Sequence, residues 1–385
     1  MSLHCGSTMS TLLRGATQLR SATTTRQHAA TASPRLHCVR VHARRSAFSG
    51  RRSAVSDRSS LAVAGQTVGL GWDRDLEDRI QVLPSQVLGE GTSGIVMLGL
   101  ERDTGRRVAV KAMSKLRSGV SVGQRALSKM AEEVALLERV QQCPNVIELV
   151  GKWEDDENAY VVTELCAEGD LAYLTTSLEL DESEVAQVAR DMLAVLAECH
   201  AQNIAHCDVK PENFVVDKRP DGRRIIKAVD FGCGQIVQDG IPLRDKTGTP
   251  LYRAPEMYAR NYGLEADLWA TGMIIYQMIT GQFCFWGNFE ECTPHSVMDA
   301  VLNQDVTFDD PGWAMVSPEA IDLVKKLLQR DPSKRITAAE ALQHQWFDIH
   351  CAEIQVLDTA VALPALVGNV VPKPPGMSVT AVQAV

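Results

Sequence analysis

A chain of 385 residues with 45% hydrophobic and 23% charged residues has ample core for one large or two ordinary soluble domains. Its formal charge of −9 is uneven: residues 1–60 hold ten Arg, no Lys and one acid, Asp57, a net +9 that leaves −18 on residues 61–385. An acidic body argues against a nucleic-acid groove and suits a partner presenting Lys or Arg, the ten cysteines lack the C-x-x-C spacing of zinc sites, and no run of about eighteen apolar residues offers a membrane span. A chain of this size needs no disulfide framework, so free thiols in a reducing compartment are expected.

Residues 1–60 are rich in Ser, Thr, Ala and Arg and have no apolar core, the composition of an organelle transit peptide rather than a secretory signal. The small-residue stretches VHA (41–43) and AVA (62–64) favour a chloroplast leader ending near residue 64. A mitochondrial leader shares the composition, and a disordered basic tail on a cytoplasmic protein is the further alternative.

From Val82 the pattern changes. QVLGEGTSGIVMLGLERDTGRRVAVKAM (86–113) reads as two β-rich stretches around Gly89, Gly91 and Gly94, a turn at Asp103-Thr104-Gly105, and a strand ending in Lys111. The glycines let backbone amides approach phosphate oxygens. A dinucleotide fold requires a helix straight after them, whereas Ile95 to Leu98 are strand formers, so the pattern is a strand-turn-strand flap. ALSKMAEEVALLERVQQ (126–142) puts Met130, Val134 and Leu137 on one helical face and leaves Glu132 and Glu138 as solvated charges. VIELVGKWEDDENAYVVTELCAEGDL (146–171) gives two strands about an acidic turn, and SEVAQVARDMLAVLAECHAQ (183–202) is a periodic helix leading into HCDVKPENF (206–214). RIIKAVDFGCG (224–234) is a strand running into Asp230-Phe231-Gly232. GTPLYRAPEM (248–257) and ADLWATG (266–272) follow, then GMIIYQMITG (272–281), too short to span a membrane and read as a buried helix, and DPSKRIT (331–337).

In this order, over residues 82–348, these stretches resemble the eukaryotic protein kinase family. CPNVIELVGKWEDDENAYVVTELCAEGDL, YGLEADLWATGMIIYQMITG followed by FWG, and DPSKRITAAEALQHQWF are most similar to the calcium-dependent kinases of plants and algae, in the calmodulin-dependent group. The resemblance implies an α+β bilobal fold: a small lobe (82–165) of antiparallel sheet with one main helix, and a larger, mainly helical lobe (166–348). ATP would lie between them, with Leu88, Val96 and Ala109 over adenine and the flap Gly89, Glu90, Gly91, Thr92, Ser93, Gly94 and Ile95 over the phosphates.

The same resemblance implies the roles of single residues. Lys111 would pair with the α- and β-phosphates and with Glu133, while Glu164 and Cys166 would offer backbone groups to adenine in front of a small gatekeeper, Thr163. Asp208 would accept the proton of the substrate hydroxyl, Lys210 would neutralise the transferring phosphoryl group, and Asn213 and Asp230 would hold magnesium. Thr249 would bond Asp208 and Lys210, marking a Ser/Thr-directed enzyme. Glu256 with Arg335, and Asp267, would be scaffold. Asp170 and Glu212 would meet basic residues of a protein substrate, Asp170 having the alternative of a charge at a helix N-terminus.

Two departures shape the expectations. Relatives of this group continue into an autoinhibitory helix and EF-hands, whereas residues 349–385 are an Ala/Val/Pro-rich tail with no D-x-[DN]-x-[DN]-G loop, so direct calcium control is not expected. Cys207 replaces the usual Arg that receives an activation-loop phosphate, so basal activity is expected without phosphorylation of Thr247. Cys207 and Cys233 stand in neighbouring segments of this family; they are either a redox-sensitive pair or two unrelated thiols. The expected function is a Ser/Thr protein kinase using ATP and Mg2+ on basic protein substrates. A pseudokinase scaffold is the alternative, and the peptide-groove motif GTPLYRAPE disfavours a small-molecule or lipid kinase.

Overall fold

The computed structural model describes residues 69–91, 94–117, 120–121, 124–166, 168–177, 180–219, 221–285 and 293–351. The expected transit peptide (1–64) and residues 352–385 of the tail lie outside these. The expected α+β architecture is found, a five-stranded antiparallel sheet lobe joined to a larger helical lobe. Strands β1 (Ile80–Gly91), β2 (Gly94–Glu101), β3 (Arg107–Ser114), β4 (Leu149–Glu154) and β5 (Asn158–Glu164) lie in the order β1-β2-β3-β5-β4.

Side chains alternate across a strand, so the register decides what each face does. Val108 and Val110 of β3 are fully buried on one face, packed with Leu76, Ile80, Trp153 and Val162. The other face carries Ala109 and Lys111, which lie opposite Thr163 and Val161 of β5, with Val96 of β2 opposite Lys111. Helix α1 (Leu76–Arg79) precedes β1, and α2 (Gln124–Arg139) lies over the Lys111 face with Met130, Val134 and Leu137 buried, the stripe expected from the sequence.

Residues before Val82 also join the sheet lobe. The amides of Leu70, Gly71 and Trp72 donate to the carboxylate of Glu154 at 2.8, 2.8 and 3.2 Å, and Lys115 Nζ reaches the same group at 2.6 Å. Both charged side chains are buried, at 2% and 4% exposure for Lys115 and Glu154, so each depends on the other for its solvation. The sequence signalled neither: Glu154 looked like one more acid of a surface turn.

In the large lobe, α3 (Leu171–Ser177) is followed by α4 (Glu182–Ala201), which starts at a capping box between Asp181 and Glu184. α4 buries Val185, Val188, Ala189, Met192, Leu193, Val195 and Leu196. Its buried Asp191 accepts from the amide of Ile226 at 3.0 Å and so fixes the strand that precedes Asp230. The apolar run expected as a buried helix is α5 (Glu265–Thr280), buried on nearly all sides and ended by Gly281 at φ 72°. Each fully buried Met or Ile in it contributes about 1.5–3 kcal/mol of apolar transfer.

Burial by itself would raise the Glu154 carboxyl, but the amides of Leu70 and Gly71 and the Lys115 ammonium outweigh it and bring its pKa from 4.5 to about 2. A depressed acid contributes stability that is whole above pH 4.5 and is lost as pH falls toward 2. Urea midpoints of the intact protein should therefore drop across that window, and Glu154→Gln should lack this component. At pH 7 the variant should be about 3–5 kcal/mol less stable, because Lys115 is left buried and unpaired.

Candidate active site

The segment HCDVKPENF is suspended from one carboxylate. Asp267, in the first turn of α5 and 2% exposed, accepts from the amides of His206 at 2.8 Å and Cys207 at 2.9 Å and sits 3.0 Å from His200 Nε2. Cys207 has φ 64°, a left-handed conformation that costs a non-glycine residue of order 1–3 kcal/mol and persists only where its surroundings enforce it. Asp267 does so by holding two consecutive amides. The buried His206 ring packs against Phe231 at 5.2 Å and Phe214 at 6.2 Å, tying this loop to Asp230-Phe231-Gly232.

The loop turns Asp208 toward Lys210 and Thr249. Lys210 Nζ lies 2.8 Å from Asp208 Oδ2, and both the amide and the hydroxyl of Thr249 donate to Asp208 Oδ1 at 2.8 Å. Lys210 also reaches Thr249 Oγ1 at 3.3 Å. Burial would raise Asp208, yet Lys210 and Thr249 together hold it below the usual carboxylate range. It is thus kept as an anion, with fixed charge beside it. The close approach needs glycine before Thr249: Gly248 has φ 80°, and a Cβ there would stand 2.7 Å from the carbonyl oxygen of Cys207.

Lys111 Nζ and Glu133 Oε1 meet at 2.6 Å between β3 and α2, the pair expected from the sequence, in the same register. Burial pushes Glu133 up, and the charge of Asp230 adds to this while Lys111 opposes it. Asp230 is exposed, and its Oδ1 accepts from the amide of Gly232 at 2.8 Å. Side-chain space at Gly232 is tight, since a Cβ would lie 3.0 Å from Asp230 Oδ1 and 3.4 Å from Glu133 Oε2. Asn213 gives its amide nitrogen to the Asp208 carbonyl at 2.8 Å. Its carbonyl oxygen and the exposed Asp230 carboxylate fit a hard divalent cation, which takes oxygen ligands.

Above these groups lies the Lys111 face of the sheet. Leu88, Val96 and Ala109 are half-buried and belong to none of the three apolar cores, leaving apolar surface of the kind a flat heteroaromatic ring covers. Gly91 pairs with Gly94, whose φ of 135° brings it so close to the Ala112 carbonyl that no side chain fits. Glu90 and Ile95 are exposed at this turn, Gly89 pairs with Val96, and Thr92 and Ser93 lie outside the described residues. Of the Glu164 backbone groups, the amide is spent on the Glu148 carbonyl, while the carbonyl accepts from Thr163 Oγ1 at 3.2 Å and keeps a second lone pair; the carboxylate is spent on Lys227 at 2.6 Å. Burial beside Glu164 and Asp217 pushes the Cys166 thiol up to about 12. Thr163 lies opposite Ala109, and Asp170 accepts from the amide of Tyr173 at 3.4 Å in the first turn of α3, as its capping alternative expects.

The segment between Asp230 and Glu256 is held by groups that the sequence did not single out. Tyr262 donates its hydroxyl to the Asp245 carbonyl at 3.1 Å and receives Gln235 Nε2 at 3.3 Å, while its backbone pairs with Leu243. Arg253 Nε donates to the Thr247 carbonyl at 3.0 Å, with its guanidinium 5.3 Å from the Tyr258 ring. Gln235 also pairs with Ala205, one residue before His206. Cys207 and Cys233 are both free thiols, and burial, with Asp267 and Cys233 adding, pushes Cys207 well up. The expected Glu256–Arg335 pair is present and buried, with Nη2 to Oε2 at 3.1 Å and the guanidinium over Trp269.

Comparison with known proteins agrees with this geometry. A family model described as the protein kinase domain matches residues 83–347. The chain is similar to calcium-dependent protein kinase 12 of Oryza sativa subsp. japonica, 36% identical over 275 residues, 71% of this chain and 50% of that protein. It is also similar to calcium-dependent protein kinase 2 of Zea mays, 36% over 260 residues (67% and 49%), and to CDPK-related kinase 5 of Arabidopsis thaliana, 34% over 323 residues (82% and 52%). The chain spans about half the length of the curated relatives it matches.

The buried pair yields a stability prediction. Arg335→Leu strands the Glu256 carboxylate and should cost about 3–5 kcal/mol in urea denaturation, whereas the double variant with Glu256→Leu should recover at least half of that, since no uncompensated charge remains.

Proposed function

The chain belongs to the protein kinase domain family, and from that premise we propose that it transfers the γ-phosphoryl group of ATP to Ser or Thr hydroxyls of protein substrates. The observation that carries this reading is the Asp208–Lys210–Thr249 cluster: an anion, a cation and a hydroxyl locked within 3.3 Å of one another. Asp208 orients the substrate hydroxyl and takes its proton as the new O–P bond forms. The bond from the γ-phosphorus to the β–γ bridging oxygen breaks, and ADP leaves with its electron pair. Lys210 faces the charge that spreads over the transferring oxygens, and Lys111, steadied by Glu133, binds the remaining phosphates. Asn213 and Asp230 would hold a magnesium ion, which would neutralise phosphate charge.

Finer features rest on the chain's own chemistry. The exposed Glu212 and the −18 balance of residues 61–385 support a preference for substrates with basic residues near the acceptor. Transfer without direct calcium binding belongs to the same proposal and is read from the calcium arm of the test below. Cys207 offers no charge to a phosphate on Thr247, and the neutral bonds of Gln235 and Tyr262 support activity without one. The basic leader supports a chloroplast location, with the mitochondrion as the alternative.

The test is transfer of labelled γ-phosphate to an arrayed peptide library by the full chain with magnesium, with and without calcium. Asp208→Asn should lower kcat by about 10²–10⁴-fold. ATP binding without transfer in the wild type would instead fit a pseudokinase scaffold. Thr247→Ala should keep the wild-type rate; loss to near zero would refute phosphorylation-independent activity. As pH falls, Glu133, raised, protonates before Asp208, lowered, so the Lys111 partner is lost first. The acid limb of kcat should then move to lower pH in Glu133→Gln, on a reduced plateau.

A further inference from the structure

We propose that residues 69–75 are an intramolecular strap that positions α2, and through it Glu133, for pairing with Lys111; this rests on the kinase reading above. The strap is anchored on β4 by polar groups and applied to α2 by apolar ones. At the anchor, three successive amides, Leu70, Gly71 and Trp72, converge on Glu154, the Glu154 amide returns a bond to the Asp73 carbonyl at 2.8 Å, and Trp153 Nε1 donates to Asp75 at 2.9 Å. Lys115, pinned between the Glu154 carboxylate and the Asp155 carbonyl at 2.7 Å, completes a fixed point at the end of the sheet.

From that point Leu70 and Trp72 pack on the core formed by Met130 and Val134 of α2 with Ala159 and Val161 of β5. Met130 and Val134 flank Glu133 in sequence, and Val161 lies opposite Lys111, so the strap closes the apolar seam beside the ion pair. Lys152, 6.0 Å from the Trp72 ring, is ion-paired to Glu138 at 2.6 Å, at the end of α2 that the large lobe also holds. The other half of α2, at Leu136 and Leu137, packs into the core of the large lobe. A helix gripped by the large lobe at one end rocks about that end unless its other half is fixed. The strap supplies that fixation from within the chain, so the positioning residues are Leu70 and Trp72, with Glu154 as their anchor.

The experiment uses the full chain carrying Leu70→Ser with Trp72→Ser, in the wild-type background and in Glu133→Gln. The strap variant should lower kcat about tenfold in the wild-type background and, since its effect runs through Glu133, should change the Glu133→Gln rate by less than about twofold. Hydrogen exchange of residues 126–139 should accelerate while that of α4 stays unchanged. Trp72→Phe, which keeps an apolar ring, should restore the rate. Equal fold losses in both backgrounds, or a lowered melting temperature with kcat and α2 exchange unchanged, would overturn the proposal. If the double variant does not fold, Leu70→Ala is put through the same two backgrounds with the same criteria. Wild-type transfer, measured alongside, decides the kinase reading by itself, and the exchange data decide the strap without it.

Discussion

The candidate site depends on a single buried carboxylate. Asp267 takes two consecutive amides of the catalytic segment and faces His200, and through them it fixes a left-handed residue, Cys207, directly before Asp208. Chain direction at that point sets everything after it: Asp208 meets Thr249 with two bonds, Lys210 folds back on Asp208, and Asn213 closes the loop on the Asp208 carbonyl. A carboxylate with three donors at 2.8–3.0 Å is a rigid support because its alternative is an unsolvated charge in the core. The apolar helix α5 therefore serves the site by carrying Asp267 on its first turn.

Much of this was legible in the sequence for a physical reason. Residues proposed to bind phosphates or move protons must be particular types at particular separations, so Lys111, Glu133, Asp208, Lys210, Asn213 and Asp230 form a recognisable pattern, and the structure brings Lys111 to Glu133 and Lys210 and Asn213 to Asp208. Strand and helix positions followed from alternation and from the 3.6-residue period, as in the Met130–Val134–Leu137 stripe. What was not legible are contacts between groups that any surface also carries. Glu154 stands in an acidic stretch and Lys115 in no motif, and only the tertiary fold shows three amides and an ammonium gathered on one carboxylate. Arg253, Gln235 and Tyr262 were missed likewise, since their partners are mostly backbone carbonyls, which have no sequence signal.

Cys207 shows how one replacement redistributes the means of holding a segment. An arginine there would offer a charge to a phosphate, an interaction switched by modification. A buried neutral thiol offers none, and Tyr262, Gln235 and Arg253 hold this segment and its carbonyls by hydrogen bonds that need no modification. Under the proposed phosphorylation-independent activity, control acts on an element outside this segment.

The element best placed for that is α2. Its two halves belong to different cores, one within the large lobe and one shared with β5, Leu70 and Trp72. The Glu133 carboxyl, pushed up by burial and by Asp230, gains from every constraint that keeps Lys111 within reach, because an ion pair in a confined site loses more from misplacement than an exposed one. The strap fixes the half of the helix that the large lobe leaves free, and it does so from the stretch of chain between the Arg-rich residues 1–60 and the sheet. Whatever binds or pulls on that stretch thus acts on the Lys111–Glu133 distance, without touching the catalytic segment that Asp267 holds rigid.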